Sequence, residues 1–118
     1  MKYIVSFLLL SISLNLFSQS KIAETIKFKV TIVEEEMPNA TVKIKGASYE
    51  STTDINGEAN LLIPFDKNEI VIAFSSARAT FKIIHPADFV LVDLDNKRAS
   101  IFYRKKRIKK VRINISEY

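Results

Sequence analysis

The chain has 118 residues, room for one domain, and its 47% hydrophobic and 26% charged residues exclude a disordered polymer. Cysteine is absent, which excludes disulfides, thiolate zinc, thiol nucleophiles, iron–sulfur clusters and the lipid-bearing cysteine of a bacterial lipoprotein. The formal net charge is +5, and its distribution along the chain is more informative than its size.

Met1-Lys2-Tyr3 gives a short cationic start, and an apolar run follows from Ile4 to Phe17, broken only by Ser6, Ser11, Ser13 and Asn15. Ser18-Gln19-Ser20 comes next, and the first acidic residue is Glu24. This order describes a helical signal peptide over residues 1–18, cut after Ser18 or Gln19. The run is shorter than the roughly 20 apolar residues of a transmembrane helix. Residues 19–118 are therefore expected to be exported to the periplasm or the extracellular space, with no stable membrane span after signal removal. An exported domain without disulfides depends on packing alone, which suits bacterial export better than a eukaryotic extracellular module.

From Thr25 to Val33, Ile26, Phe28, Val30 and Ile32 alternate with Lys27, Lys29 and Thr31, the period of a half-buried strand. Glu34-Glu35-Glu36-Met37-Pro38-Asn39 interrupts the pattern as a solvated loop. Ala40, Val42 and Ile44 then resume it against Thr41, Lys43 and Lys45, up to Gly46. Tyr49 to Thr53 suits an edge strand. Asp54-Ile55-Asn56-Gly57 is the clearest turn, with Asp54 and Asn56 able to bond nearby backbone and Gly57 free to take positive φ. Ala59 to Ile63 returns from it and stops at Pro64. Ile70–Phe74, Ala79–Ile84, Phe89–Leu94, Ser100–Tyr103 and Val111–Ile115 complete the predicted strands. No helical period persists beyond ten residues. The spacing predicts an all-β chain, a single antiparallel β-sandwich of about seven or eight strands.

Three stretches share a further pattern: Pro38-Asn39-Ala40-Thr41-Val42-Lys43-Ile44-Lys45-Gly46, then Ser51-Thr52-Thr53-Asp54-Ile55-Asn56-Gly57-Glu58-Ala59, then Leu61-Leu62-Ile63-Pro64. Ile70-Val71-Ile72-Ala73-Phe74-Ser75 follows. The region resembles the carboxypeptidase regulatory-like domain, a transthyretin-like (prealbumin-type) β-sandwich of exported proteins in Bacteroidetes-type bacteria. In that family a threonine-rich strand enters an Asp-x-Asn-Gly turn, and an apolar strand ends in Phe-Ser. The resemblance covers about 37 residues, Pro38 to Phe74. It implies the sandwich fold, and its motif residues are turn and core positions rather than a site. Ser76-Ala77-Arg78 departs from the Gly or Tyr-Gly that the family places after Phe-Ser. Phe17-Ser18-Gln19 is similar to the leader ends of flavobacterial exported proteins.

His85 is the only histidine, and no serine stands in a nucleophile context that would pair with it. No catalytic residue, metal ligand set or cofactor site is expected. Asp54, Asn56 and Glu58 lack the spacing of a calcium loop, because the glycine comes too early and the distant bidentate glutamate is missing. Charge gives the strongest signal. From Lys97 onward there are nine basic residues and one acidic, whereas residues 19–96 hold eight basic and twelve acidic. Arg104, Lys105, Lys106, Arg107, Lys109 and Lys110 form a basic cluster expected in a hairpin turn between Ser100–Tyr103 and Val111–Ile115.

Such a cluster either solubilises an edge or meets an anionic partner. The leader and the lack of an aromatic stacking set point away from nucleic acid and toward an envelope protein or an anionic envelope surface. The expected function is a non-enzymatic binding module. A structural accessory subunit docking by a strand edge is the second reading, and a small hydrolase using Ser, Asp and His85 the third.

Overall fold

In β1, Ala23–Ile32, the inward positions Ile26, Phe28 and Val30 are buried while Thr25 and Lys27 are exposed, as the period of two requires. This computed structural model describes residues 22–117, so the signal peptide expected at 1–18 lies outside the described residues. The other strands are β2 (Glu35–Glu36), β3 (Thr41–Ile44), β4 (Glu50–Thr52), β5 (Glu58–Pro64), β6 (Glu69–Phe74) and β7 (Ala77–Lys82). They continue with β8 (Phe89–Asp93), β9 (Arg98–Tyr103), β10 (Lys106–Arg112) and β11 (Asn114–Glu117). The described chain is all-β, with no helix among the described residues.

Two sheets face each other in a sandwich-like arrangement. The first runs β10-β9-β8-β1, and the far margin of β1 is shared by β5 and then β2. The second runs β11-β7-β6-β3-β4. One core fills the space between them, with Phe28, Val90 and Ile101 from the first sheet and Val42, Ile70 and Ile72 from the second, all fully buried. Burying one such side chain stabilises by roughly 2–3 kcal/mol, and without disulfides this term carries the fold.

Three expectations need correction. The described residues hold eleven strands rather than seven or eight: each of the nine segments named above contributes one, Glu35–Glu36 adds another by pairing with Thr31–Ile32, and the C-terminal region forms two instead of one. The sheets are not wholly antiparallel, since β1 and β8 run parallel, with Phe28 opposite Val90. The predicted Val111–Ile115 strand is broken at Ile113, which is 1% exposed and inserts into the core. There the chain leaves the first sheet as β10 and joins the second as β11, held by Ile113 N–H donating to Lys97 C=O at 2.9 Å.

The opposite margin has its own crossing between β4 and β5, made by Asp54–Gly57. The Asp54 carboxylate accepts from the N–H groups of Asn56 (2.9 Å) and Glu58 (3.0 Å). The Gly57 N–H donates to Asp54 C=O at 2.9 Å. Gly57 has φ +74°, and a Cβ there would sit 2.6 Å from the Val30 carbonyl oxygen. Gly46 also has positive φ, at +78°, but faces open space. Gly57→Ala should therefore cost clearly more than Gly46→Ala, for which conformation alone accounts for about 1 kcal/mol. Urea melts of the two variants check this, and equal losses would contradict the crowding at Gly57.

Candidate interaction surface

The basic cluster is placed differently from the expected turn. Only Arg104 and Lys105 form the turn between β9 and β10, whereas Lys106, Arg107, Lys109 and Lys110 lie along β10 itself. β10 is the margin of the first sheet, and every residue from Arg104 to Lys110 is exposed. Its register shifts between Arg107 and Lys109, so Ile108 occupies a bulge, 39% exposed. Among the described residues none of the six cationic side chains enters an ion pair. Their charge is left to face solvent.

The turn is built under strain. Arg104 has φ +53° and Lys105 φ +67°, the geometry of a type I′ hairpin turn, which favours Asn-Gly. A left-handed conformation costs an ordinary residue about 1 kcal/mol. The turn is held by Arg104 N–H donating to Asp88 Oδ2 at 3.0 Å, while the Arg104 guanidinium lies over the Tyr103 ring, 5.1 Å from its centroid. An open cleft of about 400 Å³ flanks the strand between β7 and β10, with Lys82, Lys109 and Arg112 in its lining. The positive character thus continues from the edge onto the side of the sandwich.

His85 lies in the loop between β7 and β8 and is tied at both ring nitrogens. Nδ1 is 2.5 Å from Glu24 Oε2, and Nε2 is 2.7 Å from the Lys67 carbonyl oxygen. Both ring nitrogens are thus engaged by contacts within the fold. The pair joins the start of β1 to two loops, and Glu24 Oε2 also accepts from Ala87 N–H at 2.9 Å. Phe65 meets the imidazole edge-on at 5.1 Å.

Glu24 escaped the reading of the residues, although a signal for it existed. It shares the inward register of Ile26, Phe28 and Val30, and a carboxylate on an apolar face requires a partner. At the Asp54–Gly57 turn, Asp54 spends its carboxylate on backbone amides, Asn56 contributes its N–H, and Gly57 supplies the close approach to β1. Among the described residues no cluster of three or more His, Asp or Glu is arranged to hold a metal ion. The chain matches no family model, and neither the curated proteins nor the solved structures give a match to it.

Removing the imidazole would leave the Glu24 carboxylate, 8% exposed, without the ring nitrogen that meets it. His85→Ala should cost about 1–3 kcal/mol, and Glu24→Gln less, because the amide oxygen still accepts from Ala87 N–H. Denaturant unfolding of both variants tests the order, and a reversal would show that the staple works otherwise.

Proposed function

We propose that the protein is an exported, non-enzymatic β-sandwich module of a bacterial cell envelope that holds an anionic partner through the β9–β10 hairpin. The observation that carries this reading is a group of six cations with no ion pair among the described residues, two in a tight turn and four along a strand margin. A backbone-paired strand holds its charges in register, so less order is lost when a partner neutralises them. The leader-like residues 1–18 support export. The likeness of Pro38 to Phe74 to carboxypeptidase regulatory-like domains supports a module whose motif serves the fold rather than catalysis. The bulge at Ile108 and the run of cations blunt this margin against strand addition, which favours docking by charge over edge-to-edge pairing there.

Replacing Arg104, Lys105, Lys106 and Arg107 together by glutamine should weaken salt-sensitive retention on envelope material. Stability should change by no more than about 0.5 kcal/mol, since all four positions are exposed. Unchanged retention at low salt would remove the proposal.

The strained tip gives a sharper test. Arg104→Asn with Lys105→Gly suits the turn geometry and should raise stability by about 1 kcal/mol or more, measured by thermal melting. The same variant should bind envelope material more weakly. Higher stability with undiminished binding would mean that the cations at the tip serve solubility alone.

A further inference from the structure

Sheet register gathers cations on the first sheet that are remote from the hairpin in the chain. Ile26, Phe28, Val90, Ala99 and Ile101 are buried, so the residues alternating with them face solvent on the opposite side. One row across four strands reads Lys27, Phe89, Phe102, Arg107, and the next reads Lys29, Leu91, Ser100, Lys110. Each row spans about 14 Å, with about 7 Å between rows. Leu62 of β5, 52% exposed, stands on the same face opposite Thr25. Glu58 lies on this face directly opposite Lys29, and Asp93 lies in the row beyond, between Thr31 and Arg98.

We infer that this whole face, from Lys27 and Lys29 to β10, docks on an anionic lipid surface. The inference rests on the electrostatic role given above to the hairpin and names the partner. Three features favour headgroups over a linear polyanion. The cations are spread over a sheet in two dimensions, as lipid phosphates are, rather than along one line. The apolar side chains between them include the aliphatic Leu62 and Leu91, which suit the boundary between headgroups and acyl chains. The Phe89 and Phe102 rings, 5.6 Å apart, are inclined at 49°, so they share no plane on which a ladder of bases could stack.

The test uses the chain beginning at Gln19, which retains all eleven strands and the core and lacks the apolar leader. It is sedimented with vesicles of phosphatidylcholine alone and of phosphatidylcholine mixed with phosphatidylglycerol, and passed in parallel over dextran sulfate. Binding to the anionic vesicles only is expected. Each cation near such a surface is worth about fivefold in affinity, so Lys27→Gln with Lys29→Gln should weaken vesicle binding by about twenty-five-fold. Leu62→Gln should weaken vesicle binding several-fold and leave dextran sulfate retention unchanged. Vesicle binding indifferent to Lys27 and Lys29, or equal on neutral vesicles, overturns the inference. Retention on dextran sulfate without vesicle binding also overturns it while sparing the role of the hairpin, and failure on both matrices removes both.

Discussion

Everything in this fold depends on two sheets hiding one face each against the other. Neither sheet could stand alone, because the inner residues of β1, β8 and β9 are as apolar as those of β3 and β6 and would otherwise meet water. With no covalent staple available, the margins of the sandwich become the points of weakness. The chain secures both by crossing between sheets, at Asp54–Gly57 on one side and at Ile113 on the other. A third tie, from Glu24 through His85 to Lys67, closes one end of β1 over its loops.

The same architecture decides where charge can go. Side chains on the inner faces are committed to the core, so the basic residues are confined to outer faces, turns and the exposed strand β10. Two hairpin tips hold two successive non-glycine residues at positive φ, Val33-Glu34 and Arg104-Lys105. Because β8 parallels β1 and β9 runs back against it, the tips point to opposite ends of the first sheet. One is followed by Glu35 and Glu36, and the other leads into the cations of β10. The sheet is therefore polarised along its length, and a charged surface would orient the molecule before contact.

Much of this was legible in the residues. Alternation located β1, β3, β5 and β8 within a residue or two, and Asp54 with Gly57 marked a turn where the chain turns. Alternation states which side of a ribbon is oily, but not which of two sheets the ribbon joins, so the parallel pairing of β1 with β8 was invisible. β10 was missed for a different reason. A margin strand wetted on both faces has no period of two, and Lys106 to Lys110 read as a loop. Ile113 and Ile115 looked like successive inward positions of one strand, but the first is buried and the second is 36% exposed. The likeness between Pro38 and Phe74 named turn and core positions and left the basic surface outside its span.

The crossing at Ile113 has a consequence for the timing of assembly. β10 and β11 supply one margin of each sheet, and central β1 needs β8, more than sixty positions later, as a neighbour. Neither half of the sandwich can be finished until the ribosome has passed residue 117. The first sheet is thus completed only late in synthesis, because its central strand waits for a partner from the second half of the chain.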